Sequence, residues 1–266
     1  MNDAALDLAI LGLPFVAGLL VLATHVPLGM QVLDRGIVFI DLAIAQIAGL
    51  GVIAADALGF GAQGLVMQAA AVSAALLGAA LLTWSERRVA QQQEALIGVL
   101  FVLASCAGIL LLAHNPHGGE HLKELLVGQI LWVNGAQVLA LAGVTALVLL
   151  ALRAGALQRF GRFGFYGVFA VAVTASVQLV GVYLVFSALI VPALATRALH
   201  GRRRMVWAYA IGAAGFALGL ASSAWFDLPS GALIVWALAA CGLLAALLAA
   251  PKRQRLPKGH KREPAP

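Results

Sequence analysis

Residues His114 to Glu124 read HNPHGGEHLKE, and three of the chain's six histidines stand within eight residues there. His117-Gly-Gly-Glu120-His121 spells H-x-x-E-H. On a rigid helix that spacing sets two zinc-binding imidazoles and a catalytic carboxylate on one face, the arrangement of a zinc-dependent hydrolase. Gly118, Gly119 and the preceding Pro116 oppose such a helix, since each Gly costs about 1 kcal/mol relative to Ala. Membrane metalloproteolysis through His117, Glu120 and His121 is therefore a subordinate reading. As a loop, His114, His117, Glu120 and His121 offer nitrogen and carboxylate donors that suit zinc, and imidazole also suits nickel, cobalt and copper. The alternative is a polar turn with no metal role.

A second set of polar residues is scattered through apolar sequence. Asp41 and Gln46 lie in GIVFIDLAIAQIAGLGV, Asn134 and Gln137 three residues apart, and Thr174 and Gln178 one turn apart. An ionisable or amide group inside a membrane span is a functional candidate by default, and its bland alternative is an interhelical hydrogen bond. Asp41 and Gln46 are about 140° apart around a helix, so they do not share a face without distortion.

The elements that hold these residues are membrane helices. Of the 266 residues, 62% are hydrophobic and 11% charged, with a mean hydropathy of +0.98. A soluble domain is about 25% charged, so the chain reads as an all-α, polytopic bundle. Its 29 glycines suit close helix packing in lipid, where apolar burial no longer drives association. Apolar runs fall near 8–32, 36–59, 64–84, 95–113, 125–152, 205–224 and 230–249. The run 166–199 is about 51 Å long as a helix, too long for one crossing of a 30 Å core. Split near 184, it gives nine spans rather than eight. Cys106 and Cys241 sit in apolar runs and imply no disulfide framework.

The net charge of +6 does not indicate nucleic acid. Six of the seventeen Lys and Arg lie in the tail Lys252–Arg262 and four in Arg197–Arg204, beside predicted spans. Nine spans with the C-terminus inside put sixteen of the seventeen in the cytoplasm and leave Lys123 outside, as the positive-inside rule prefers. Eight spans divide them between both faces. The N-terminus and the histidine loop then lie outside. The membrane domain occupies 1–250, and 251–266 forms a basic, Pro-rich, disordered tail. The inward loop RAGALQRFGRFGFYG (Arg153–Gly167) carries Arg153, Arg159 and Arg162 with Phe160 and Phe163. A short helix over Ala154–Phe163 would bring the two Phe together, three residues apart. That helix would seat in a groove of a partner protein or rest on anionic lipid.

Five segments in order resemble the permease subunits of bacterial ABC-type zinc/manganese/iron importers. They are DRGIVFIDLAIAQIAGLGV (Asp34–Val52), EALIGVLFVLAS (Glu94–Ser105), HGGEHLKELLVGQILWV (His117–Val133), VQLVGVYLVFSALIVPALATRAL (Val177–Leu199) and DLPSGALIV (Asp227–Val235). The resemblance implies a multi-pass protein of the bacterial cytoplasmic membrane and a homodimer with a metal path on its two-fold axis. It also implies a cytoplasmic ATPase and an extracytoplasmic metal-binding protein, with zinc, or else manganese, as cargo and no permanently bound cofactor. No G-x-x-x-x-G-K-[ST] phosphate loop occurs in the chain, so hydrolysis falls to the partner. The family commonly carries Asp-x-x-x-His on the second span. Here Gln46 stands where the His would be, and Asp41 lies one residue out of register. Asp41, Gln46, Asn134 and Gln137 are the expected path residues. By position Arg153–Gly167 resembles the coupling helix, without the acidic residues and Ala-Arg pair usual there. An ion-coupled secondary transporter is the other class the composition allows, though neither inverted repeats nor broken helices in both halves are evident.

Reporter fusions after Ala113 and after Arg204 are expected to give opposite signals, outside and inside respectively. The same signal at both sites would exclude nine spans.

Overall fold

The computed structural model describes residues 3–60, 64–113 and 125–249. Among these lie nine α-helices: α1 (Asp3–Arg35), α2 (Ile40–Ala57), α3 (Leu65–Val89), α4 (Gln93–Leu112), α5 (Gly135–Arg153), α6 (Ala156–Val180), α7 (Val182–Ala195), α8 (Gly201–Phe226) and α9 (Ser230–Ala249). The described residues contain no strand. The tail 251–266 and the histidine stretch 114–124 lie outside them.

Seven units are long and apolar enough to cross a membrane, one of them the 48-residue run Leu65–Leu112. At 1.5 Å per residue that run would reach about 72 Å, over twice a bilayer core. The 3₁₀ turn Ala90–Gln92 breaks it into α3 and α4, two crossings. The ninth helix, α7, has only 14 residues. It packs among α1, α8 and α9, so its short ends meet protein rather than lipid.

Contacts fix the direction of α6 and α7. Phe165, near the start of α6, lies under the Arg35 guanidinium at the end of α1, 4.2 Å from ring centroid to carbon. Val180 reaches the backbone of Gly128, and Leu189 on α7 has returned to Gly29 of α1. The chain therefore reverses at Gly181, whose φ of +81° is open to glycine and strained for other residues. The expected reversal near 184 falls three residues earlier. With it in place, all ten arginines of the described residues gather at one end of the bundle. Arg204 pairs with Asp34 at 3.6 Å and Arg162 with Glu86 at 3.1 Å there. Exposed tryptophans lie toward both ends, Trp84 and Trp207 at the arginine end and Trp132, Trp225 and Trp236 at the other, the positions of aromatic belts.

The expected span 125–152 is a correction. Residues 125–127 are helical, but the chain leaves the helix at Gly128 and the long helix begins only at Gly135. Gly128 takes φ +73°, and the backbones of 127–128 and 180–181 touch so closely that a Cβ on either glycine would strike the other strand of chain. Gln129 N donates to Leu179 O at 3.3 Å. A 3₁₀ turn over Ile130–Trp132 follows, and Asn134 then caps α5.

Packing elsewhere depends on small residues. Gly215 and Gly219 of α8 face Leu238 and Ile234 of α9 with no room for a Cβ, and the two helices lie along one another. Helix α2 packs between α3 and α4, α3 packs on α6, and α1 packs on α7, α8 and α5. Within α1, Pro27 removes the amide that would bond the carbonyl of Ala23. Tyr209 Oη of α8 donates to that carbonyl at 2.8 Å. Tyr209→Phe is expected to destabilise the permease by about 1–3 kcal/mol, the cost of an unsatisfied buried polar group, read as a lower melting temperature in detergent. An unchanged melting temperature would show that the Pro27 gap closes without Tyr209.

Candidate functional site

At the end of the bundle opposite the arginines, α2, α3, α4, α5 and α6 enclose a cavity of about 570 Å³. Its polar lining comes from five elements of chain: Asp56 near the end of α2, Gln68 in the first turn of α3, Gln129 in the non-helical stretch, Gln137 in the first turn of α5, and Gln178 near the end of α6. Each residue reaches the cavity because its helix begins or ends there. The contact between 127–128 and 180–181 holds the lower wall against the end of α6. Gln178 Nε2 is buried without a hydrogen-bond partner. One turn below it on the same face of α6, Thr174 Oγ1 is buried and unpartnered as well. Leu112 and Leu125, which flank the histidine stretch in sequence, both line the cavity.

The residues expected from the sequence are placed unevenly. Gln137 lines the cavity, whereas Asn134 does not. The two form a capping box: Gln137 N donates to Asn134 Oδ1 and Asn134 N to Gln137 Oε1, each at 3.0 Å. That pairing satisfies two amides at the start of α5. Asp41 sits in the first turn of α2, at the arginine end and roughly 22 Å from Asp56 along the helix at 1.5 Å per residue. It is fully buried within its own protomer, and neither carboxylate oxygen has a partner. Gln46 is half-buried and lines no part of the cavity. His114, His117, Glu120 and His121 lie outside the described residues. Sequence reasoning missed Asp56, Gln68 and Gln129. Asp56 stands at the end of an apolar run, where a solvated helix terminus is the default reading, so no local signal distinguished it.

At the arginine end, the expected short helix over Ala154–Phe163 is a second correction. The helix starts at Ala156 and runs on to Val180, broken only at Gly161 (φ 56°, ψ −129°). Phe160 and Phe163 fall on opposite sides of that break, so they do not share a helical face. Both are exposed, by 61% and 58%. The Arg159 guanidinium lies 6.0 Å from the Phe160 ring centroid, Arg162 pairs with Glu86 of α3, and Arg153 is exposed. Behind this surface, Gln93 Nε2 donates to Leu82 O at 3.1 Å and to Tyr166 Oη at 3.2 Å. Ser85 Oγ donates to Gln93 Oε1 at 3.1 Å. The network ties the turn between α3 and α4 to the start of α6.

Nine described helices, most of them long and apolar enough to cross a membrane, with a polar cavity at one end and a cationic, aromatic surface at the other, define a polytopic membrane protein. The family model described as the ABC 3 transport family matches residues 8–155 and 152–249. The chain belongs to that family, the permeases of metal ABC transporters. Among solved structures it is similar to PsaBC from Streptococcus pneumoniae in complex with Fab, with a TM-score of 0.73 at 21% identity over 91% of this chain and 92% of that one. This likeness is one of fold. No curated protein matches the sequence.

An unpartnered buried amide costs about 1–3 kcal/mol. Gln178→Leu is therefore expected to raise the melting temperature of the permease while lowering cargo uptake by the assembled transporter. A lower melting temperature with uptake intact would assign Gln178 to packing.

Proposed function

We propose that the chain is the permease subunit of an ATP-driven importer that carries a divalent transition metal, zinc or manganese, into the bacterial cytoplasm. The observation that carries this reading is the family match through the whole bundle, from residue 8 to residue 249. Two copies would assemble in the cytoplasmic membrane, with the arginine end inside. An extracytoplasmic metal-binding protein would deliver the ion to the end that holds the cavity. Hydrolysis would occur on a separate cytoplasmic ATPase.

The geometry supports this division of labour. Arginines in the described residues occupy one end, consistent with a cytoplasmic face. Phe160 with Arg159, and Phe163 with Arg162, present exposed aromatic and cationic groups there, the residue types that anchor protein interfaces. Gly155 (φ 72°) and Gly161 (φ 56°) bound the short helical piece that carries Arg159 and Phe160, so that piece docks as a unit distinct from the spanning part of α6. The Arg162–Glu86 pair and the Gln93–Tyr166 bond would pass its movement to α3 and α4. Asp41, Thr174 and Gln178 each carry a buried polar atom without a partner, which makes them candidates for a polar path through the bundle.

The test is ATPase activity of the reconstituted complex with its metal-binding protein, scanned over zinc, manganese, iron, nickel and cobalt. Stimulation by at least one metal is expected. Phe160→Asp should reduce capture of the ATPase by about tenfold or more, a loss on the scale of about 1.4 kcal/mol at a hot spot, while the permease stays in the membrane. Full ATPase capture and full uptake by both Phe160→Asp and Arg159→Glu would exclude this surface as the coupling element.

A further inference from the structure

A second hollow lies on the outside of the bundle, at the arginine end. The start of α2 and the first half of α4 leave between them a groove of about 590 Å³. Every side chain that lines it is apolar. Phe39 and Leu42 stand on one side and Phe101 and Leu103 on the other, over a floor that includes Ala95 and Gly98. The floor is deep because those two residues are small. A Cβ at Gly98 would meet nothing within 4 Å. The rim is fixed, since Phe39 N donates to Glu94 Oε1 at 3.2 Å and so holds the start of α2 to α4. The Phe39 ring is half exposed, and Val102 and Leu103 are exposed beyond it.

Depth and charge say what covers the groove. From Ala95 to Leu103 it runs about 12 Å at 1.5 Å per residue, within one leaflet of a core about 30 Å thick. Water finds no polar partner on such walls. Eight residues line the groove, whereas a stable interface with a second copy takes about 20–30 residues a side. Helix α3 ends in Arg87 and Arg88, both exposed, and the single 3₁₀ turn Ala90–Gln92 leads from them into α4. The described ion pairs use Arg162 and Arg204, and Arg35 lies on the Phe165 ring. Arg87 and Arg88 pair with no acid among the described residues. A guanidinium matches a phosphate in a two-pronged bond. Trp84, three and four residues before them on the same face of α3 and exposed, is the residue type that settles among lipid headgroups.

We propose that the groove holds one acyl chain of an anionic phospholipid from the arginine-side leaflet, with its phosphate on Arg87 and Arg88. The chain would act as a wedge that sets the spacing of α2 and α4. The far ends of the same two helices, at Ile53 and Leu112, line the polar cavity, so the wedge bears on its width. The proposal is independent of the cargo and of the importer reading.

The test uses purified permease in phosphatidylcholine nanodiscs carrying a trace of phosphatidylglycerol with a photoreactive group in its acyl chain. After illumination, labelled peptides are identified by mass spectrometry. Label on Ala95–Leu103 is expected to exceed label on the exposed α3 stretch Leu76–Leu81 at least threefold. Gly98→Leu fills the groove with a better helix former and should cut that label at least threefold with the melting temperature kept. Val102→Trp, at an exposed rim position, decides the matter where Gly98→Leu does not fold. Arg87→Gln with Arg88→Gln should bring labelling down to that given by a phosphatidylcholine probe of the same chain, which is expected to be at least threefold weaker on the unaltered protein. Equal labelling from the two probes, or label unchanged by Gly98→Leu and Val102→Trp, would overturn the proposal. So would loss of the permease dimer in Gly98→Leu with lipid label intact, which would assign the groove to a second copy.

Discussion

The structure depends on one constraint: within a bilayer, every backbone amide and carbonyl must find its partner inside the protein. An unbroken helix meets that demand by itself. Each place where this chain departs from a helix therefore needs a specific remedy, and the remedies are visible. Pro27 frees the carbonyl of Ala23, and Tyr209 bonds it from α8. The start of α2 leaves amides open, and Glu94 Oε1 accepts from Phe39 N at 3.2 Å. The non-helical stretch before α5 is held by Gln129 N on Leu179 O and ends in a reciprocal cap between Asn134 and Gln137. All of these except the local Asn134–Gln137 cap join elements distant in sequence, so satisfying the backbone also fixes the tertiary arrangement.

The same demand explains where the polar cavity lies. Helix ends cannot be fully satisfied from within the helix, so polar chain concentrates where α2, α3, α5 and α6 begin or end. The paired glycines Gly128 and Gly181 let two backbones touch and draw the non-helical stretch into the bundle. A cavity lined by helix termini thereby sinks into what would otherwise be an apolar wall. The buried groups below it, Gln178, Thr174 and Asp41, lack partners. His25 Nε2 in α1, and one polar atom each of Glu86, Glu94 and Arg204 toward the arginine end, are buried without a partner as well, so such groups are not confined to the cavity.

At the other end the problem is electrostatic and is solved by proximity to water. Arg204 with Asp34 and Arg162 with Glu86 are partly exposed pairs, whose individual contribution is small. Their value is positional. Arg162–Glu86, together with Gln93 and Tyr166, holds the broken helix at Gly161 against α3 and the start of α4, and Arg204–Asp34 ties α8 to α1. The apolar faces of Phe160 and Phe163 remain outside that framework.

The sequence by itself determined the all-helical membrane class and the gathering of the arginines at one end of the bundle. Hydropathy over 20-residue runs reports lipid burial directly, and arginine positions report which helix ends share a side, because both are local properties of the chain. The reversal within 166–199 was legible from length alone, although its site at Gly181 was not. A start of α5 at Gly135 was within reach of the sequence, since Asn134-x-x-Gln137 has capping-box spacing, but the apolar run through Leu125–Val133 masked it. Only the tertiary structure shows which polar residues share the cavity. Asp41 and Gln46 were conspicuous because polar residues inside apolar runs stand out, yet one is enclosed in its protomer and the other lines no cavity. Asp56, Gln68 and Gln129 were inconspicuous because polar residues at helix ends are ordinary. What makes them a set is that five separate chain segments converge at one end of the bundle, and convergence is a property of packing that no single stretch of sequence carries.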